Sequence, residues 1–180
     1  MRVQFLLFCF LLILSSAFSQ NKFEFGERLN YNAQNITISF DKPLAFSESK
    51  SGFGATDSKN LVTSFINYDI QSILQVYCTP IPSQFAMDAE LFFSDKNNIE
   101  QIMKQTFPEP INDVNSYKVI KINGRNFLEV NVTSYAIQKQ TNWITFYKNN
   151  FINILGTTTI DNFKNIIEFL DKFKSSILID

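Results

Sequence analysis

The chain has 180 residues, with 16 Lys+Arg against 17 Asp+Glu, 20 Phe, two Cys and no His. The missing imidazole excludes Ser-His-Asp triads, Cys-His pairs, imidazole proton shuttles and His-containing zinc sites. Near-neutral charge argues against nucleic acid as a partner, for which a basic face is expected.

Residues 1–19 read as a secretory signal of the general export type. Arg2 precedes an uncharged run from Phe5 to Leu14, and Ser15-Ser16-Ala17-Phe18-Ser19 then supplies small residues ahead of Gln20. Cleavage is expected after Ser19, with Ala17 and Ser19 in the two small-residue positions and Gln20 as the new N-terminus. A bilayer core needs about 20 apolar residues. The run is half that, so no membrane span is expected after cleavage. Cys9 follows Phe8 inside the run, where a lipoprotein signal places a small residue before a cysteine at the run's end, so no lipid anchor is expected.

Loss of Arg2 and Cys9 with the signal shifts the net charge from −1 to −2 and leaves Cys78 as the one cysteine. An exported chain with a lone cysteine has no disulfide framework, so its stability must come from a core. Residues 20–180 suit a single domain, because chains of about 150 residues bury enough surface to fold without covalent staples.

Ile36-Thr37-Ile38-Ser39-Phe40 alternates apolar with polar, the period of a half-buried strand, and Pro43 ends its pairing. Ser47 to Asn60 is polar and reads as a surface loop. Leu61 to Tyr68 and Ile73 to Cys78 read as two further strands. Ser94 to Asn98 offers N-caps for a helix carrying Ile99, Ile102, Met103 and Phe107, and Pro108 stops it. Tyr117 to Ile122, Asn123-Gly124 and Arg125 to Val132 form a hairpin, since Asn-Gly suits the positive φ angles of a type I′ turn. Trp143 to Lys148 and Phe151 to Gly156 pair around Asn149-Asn150. The chain closes on a helix capped by Thr159 or Asp161, with Phe163, Ile166, Ile167, Leu170, Phe173 and Ile177 on one face. Helices with one apolar face and a mainly antiparallel sheet bury each other in layers, which makes the fold class α+β, an α/β/α sandwich.

The strand Ile36-Thr37-Ile38-Ser39-Phe40 running to Pro43, the hairpin Lys121-Ile122-Asn123-Gly124-Arg125 leading to Phe127-Leu128-Glu129-Val130, and the closing Phe173-Lys174-Ser175-Ser176-Ile177 resemble the PsbP-like superfamily, including its DcrB-like members. Phe46 stands where an aromatic, often Trp, is expected after the first proline. The resemblance covers most of residues 20–180. It implies small secreted or periplasmic α-β-α sandwiches that act as accessory or binding modules, and it carries no catalytic residue.

Motifs with chemical content are few. Gly52-Phe53-Gly54 lacks both the third glycine of a dinucleotide fingerprint and the Lys-Ser/Thr of a phosphate loop, so it reads as loop. Asp88, Glu90 and Asp95 offer hard oxygens in no EF-hand spacing and read as solvated acids, leaving no metal site. Cys78, in an apolar strand without a base, reads as core. Asn35-Ile36-Thr37 and Asn131-Val132-Thr133 are glycosylation sequons on expected strands, relevant only in a host that glycosylates exported chains. Trp143, Tyr147 and Phe151 are expected to face the core more than an exposed patch.

The expected function is therefore a non-catalytic secreted or periplasmic accessory protein that binds a protein, an envelope component or a small ligand. No cofactor or catalytic residue is expected. The alternatives are a carboxylate- or metal-dependent hydrolase working without His, and a secreted effector or its inhibitor. Oligomeric state is not legible in the sequence.

Overall fold

The computed structural model describes residues 23–49, 58–85 and 87–180. The expected signal, with Ala17, Ser19 and Gln20, and the Gly52-Phe53-Gly54 segment lie outside the described residues. Strand alternation builds two antiparallel sheets. In chain order the elements are β1 (Phe25–Ala33), β2 (Ile36–Pro43), β3 (Ser47–Ser49), β4 (Leu61–Asn67), β5 (Ser72–Pro80), α1 (Ala89–Ser94), α2 (Lys96–Thr106), β6 (Asn112–Ile122), β7 (Arg125–Ser134), β8 (Gln138–Tyr147), β9 (Asn150–Thr159), α3 (Phe163–Ser176) and β10 (Leu178–Ile179). The larger sheet has seven strands in the order β3-β4-β5-β9-β8-β7-β6, and the smaller has three in the order β1-β2-β10.

Period-two alternation sends successive side chains of the large sheet to opposite faces. One face presents Phe65, Leu74, Val76, Cys78, Phe127, Trp143, Ile152 and Ile154, which pack with Ile166, Phe169, Leu170 and Phe173 of α3 and with Ile36, Ile38 and Phe40 of β2. The other presents Leu128, Val130, Val132, Ile144 and Phe146, covered by Ala89 and Phe93 of α1 and Ile99 and Ile102 of α2. The result is the layered α+β sandwich expected from the pattern, with α3 and the small sheet sharing one layer. Among the described residues no helix is long and apolar enough to cross a membrane. Cys78 is buried and unpaired, and burial pushes its thiol up to about 11.

Several local expectations need correction. β1 and β10 were not anticipated, and Ser47–Ser49 is a short edge strand rather than loop. Neither Thr159 nor Asp161 caps α3: Asn162 stands at the cap without a side-chain cap bond. Its amide donates instead to the Ile70 carbonyl at 3.0 Å, tying the helix start to the β4–β5 turn. Ile167 lies 43% exposed, and Phe169, absent from the expected stripe, is buried at 2% against Phe23, Phe25 and Phe46. Two of the three acids, Asp88 and Asp95, are helix caps. Asp88 accepts from the Glu90 and Leu91 amides, and Asp95 from that of Asn97. They start two helices where one was expected.

The hairpin turns share one geometry. Asn123 and Gly124 have φ of 46° and 82°, as a type I′ turn requires. Gln34-Asn35 and Lys148-Asn149 make the same turn with non-glycine residues. Asn35 thus lies in an exposed turn and not on a strand, and the last turn is one residue earlier than Asn149-Asn150. Tyr135 and Ala136 make such a turn with neither Asn nor Gly, at φ of 50° and 57° under a 3.2 Å bond from Ile137 N–H to the Ser134 carbonyl. A left-handed conformation costs an L-residue about 1–2 kcal/mol, and Asn-Gly avoids much of it. The double substitution Tyr135→Asn, Ala136→Gly is expected to stabilise the domain by about 1 kcal/mol, raising Tm by about 2–4 °C in a thermal melt.

Candidate functional site

Strand β7 places a carboxylate in the middle of an apolar run, Phe127-Leu128-Glu129-Val130. Alternation turns Phe127, Glu129 and Asn131 toward α3. Register then brings Glu129 beside Trp143 on β8 and Lys118 on β6. The Trp143 indole Nε1 donates to Glu129 Oε2 at 3.0 Å, Lys118 Nζ lies 3.0 Å from Oε1, and Lys174 Nζ reaches down from α3 to Oε2 at 3.2 Å. Lys174 also donates to Asp171 Oδ1 at 2.9 Å. The Glu129 side chain is 8% exposed. Burial opposes its charge, but donation from Trp143, Lys118 and Lys174 outweighs that and holds its pKa below the ordinary value. Burial likewise opposes the Lys174 charge, and Asp171 and Glu129 overcome it, raising its pKa. The group is a charge-compensated lock between helix and sheet, not a poised acid.

The lock closes one end of a groove between α3 and strands β6 to β8, with a volume of about 400 Å³. Its apolar side is Trp143, Phe163, Ile167 and Leu170, and its polar side includes Asn115, Asn131, Lys139 and Thr141. Gly156 lies under Leu170 of the helix: a Cβ there would stand 2.5 Å from Leu170 Cδ2 and make that side chain shift. Hydrogen bonds hold the polar wall in place. Thr141 Oγ1 donates to Asn131 Oδ1 at 2.9 Å, and Asn131 Nδ2 donates to Ser116 Oγ at 3.1 Å. At the far end, Lys139 Nζ donates to Thr133 Oγ1 at 2.6 Å and to Asn115 Oδ1 at 3.1 Å. Volumes of about 300–1,000 Å³ with apolar lining and a few fixed polar groups are typical of small-molecule sites.

Of the residues singled out in the sequence, the structure brings Trp143 and Asn131 into this groove. The Asn131 amide is engaged on both its atoms. Tyr147 points to the same face as Trp143 but lies under the Arg125 guanidinium, 3.7 Å from the ring centroid, and Phe151 joins the opposite face. The three aromatics form no common patch. Asp88, Glu90 and Asp95 do not converge, and no group of three or more His, Cys, Asp or Glu able to hold a metal occurs among the described residues. Glu129, Lys139 and Lys174 were missed. The signal for Glu129 was present, as a single acid inside an apolar strand whose hairpin partner carries the chain's one tryptophan.

The sequence matches no protein-family model and no curated protein significantly. Solved structures do share its fold. The cyanobacterial PsbP, CyanoP, from Synechocystis sp. PCC 6803 superposes with a TM-score of 0.55 at 11% identity over 90% of this chain and 98% of that one. A Bacteroides thetaiotaomicron protein gives 0.52 at 12% identity, over 87% of this chain. This chain spans about half of that second protein, 49% of its length. The architecture, two helices on one face of an antiparallel sheet and one long helix on the other, is a PsbP-like fold.

Proposed function

We propose that this chain is a non-catalytic binding protein, exported under its N-terminal signal and acting outside the cytoplasm, that takes a small ligand in the groove between α3 and strands β6 to β8. The observation that carries the reading is the groove itself. It combines an apolar wall, a hydrogen-bonded polar wall and a compensated buried carboxylate. Glu129, its most buried ionisable group, is tied to two lysines and an indole that hold its pKa below the ordinary value, so it lacks the raised pKa a general base needs near neutrality. The lock positions groove walls instead.

Ser116 gives a clean test, being exposed on edge strand β6 and lining the groove. Ser116→Trp fills the groove from an exposed edge position, at the loss of one bond to Asn131. Native mass spectrometry after incubation with an envelope extract is expected to show a ligand retained by the unmodified protein and lost from Ser116→Trp. Equal retention by both overturns the groove as the binding site. Sequencing of the exported protein is expected to begin at Gln20.

A further inference from the structure

Lys139 stands apart from the other groove charges. Glu129 is paired with Lys118 and Lys174, and Asp171 with Lys174. Lys139 is half-buried in the groove lining, and among the described residues no carboxylate lies within ion-pair distance of it. Its amine bonds only neutral oxygens, Thr133 Oγ1 and Asn115 Oδ1. An ammonium has three donors. Two are committed to the wall and fix where the amine sits, leaving one donor and a full positive charge without an anion in a partly desolvated cleft.

The opposite end has the reverse character. There Trp143 and Leu170 close the groove over a lock whose amines are already engaged by Glu129 and Asp171. A second anion at that end would have to compete with two carboxylates for the same amines. An apolar group there meets Trp143, Leu170 and Ile167. The groove thus runs from a fixed cation at Lys139 to the end where Trp143 and Leu170 lie over the already paired charges of the lock.

We propose that the groove binds a monoanionic amphiphile, a carboxylate with a short apolar tail, with the anionic head on Lys139 Nζ and the tail along Ile167, Leu170 and Trp143. This rests on the groove-binding reading above and adds the ligand's chemical class and direction. The fixed amine makes the head contact preorganised, so little side-chain entropy is lost when the ligand arrives. Thr141 and Asn131, bonded to each other, line the middle without adding charge.

The protein carries its own reporter, because Trp143 is the single tryptophan of the chain and lines the tail end of the groove. Sodium decanoate, 1-decanol and decyltrimethylammonium, each below its micellar concentration at neutral pH, would be titrated while Trp143 emission is followed. Decanoate is expected to shift or quench the emission saturably and to bind about tenfold more tightly than decanol, the size of effect usual for a charge-assisted hydrogen bond. The cationic probe should be weakest. Lys139→Gln is expected to abolish the preference for decanoate over decanol, with circular dichroism confirming its fold. The wild-type comparison of decanoate with decanol needs no variant, so the proposal remains testable if Lys139→Gln misfolds. Decanol binding as tightly as decanoate, or a preference that survives Lys139→Gln, overturns the proposal. Unchanged emission with every probe also overturns it. A ligand still lost on Ser116→Trp in the extract experiment would then show that the groove binds something else, so the two failures are separable.

Discussion

Phe173→Ala is expected to cost about 4 kcal/mol of folding free energy, within the range of about 3–5 kcal/mol for emptying a fully buried phenylalanine site. Phe173 is 0% exposed and sits where three structural units meet. Its ring centroid lies 5.1 Å from Phe40 of the small sheet, 6.3 Å from Trp143 of the large sheet and 6.2 Å from Phe169 on its own helix. Truncation opens a cavity that cannot collapse easily, because its walls belong to two sheets and a helix held by separate hydrogen-bond ladders. With domain stabilities of about 5–15 kcal/mol, that is a large fraction of the total. The melt should shift down by about 8–16 °C. Ile167→Ala, on the same helix but 43% exposed, is the control and should stay within about 1 kcal/mol. A similar loss for both variants, by denaturant titration, would show that the α3 face is not oriented as described.

That contrast also marks what the sequence could and could not show. Spacing alone put Ile167 on the apolar stripe beside Ile166, since both fit a broad helical face, but the groove next to α3 leaves one of them at its rim. Phe169 was passed over because it lies between two positions of the simplest stripe. It is buried because β1 and Phe46 wrap the helix from a second side, a tertiary fact that no period in α3 contains. Asn123-Gly124 was legible because its residue types favour positive φ. Tyr135-Ala136 was not, because those residues adopt positive φ only where the paired strands force it. The bulge between Phe25 and Arg28 interrupts the alternation that would have revealed β1. α1 hid behind its shortness and adjacent Phe92-Phe93.

The groove was the least legible feature, since its lining comes from β6, β7, β8 and α3. Local pattern fixes which face of each strand a residue occupies, and pairing register then decides which residues meet. The opposite face shows the same dependence. Gln75, Asn142 and Asn153 sit on β5, β8 and β9, and Gln75 and Asn142 flank Leu155 in register. Asn153 Nδ2 donates to Asn142 Oδ1 at 3.3 Å, while Gln75 Nε2, Asn142 Nδ2 and Asn153 Oδ1 are buried without protein partners. Each amide alone reads as an ordinary polar residue of a half-exposed strand. Only the assembled sheet makes them a buried cluster.

Glu129→Gln tests the lock between β7 and α3. Glutamine keeps the volume and can still accept from the Trp143 indole, so the substitution removes charge more than packing. At neutral pH it should cost about 2–3 kcal/mol, since hydrogen bonds to a charged group contribute about 1.5–3 kcal/mol and breaking a buried pair strands its partner. Lys118 is 65% exposed and regains water, whereas Lys174 is only 21% exposed and keeps Asp171 as its remaining partner. The pH dependence separates charge from shape. The folded Glu129 pKa is below its unfolded value of 4.5, so its contribution is fully present above that pH and is lost as pH falls through the folded pKa. The folded Lys174 pKa is raised above 10.5, so its contribution is present below that pH and is lost as pH rises through the folded value. The stability gap between the two proteins should therefore be widest near neutrality and narrow below about pH 4.5. Urea titrations across pH 3 to 8 read it directly. A gap that stays constant down to about pH 3 would mean that the lost term is packing, and that the Glu129 charge does not hold α3 to the sheet.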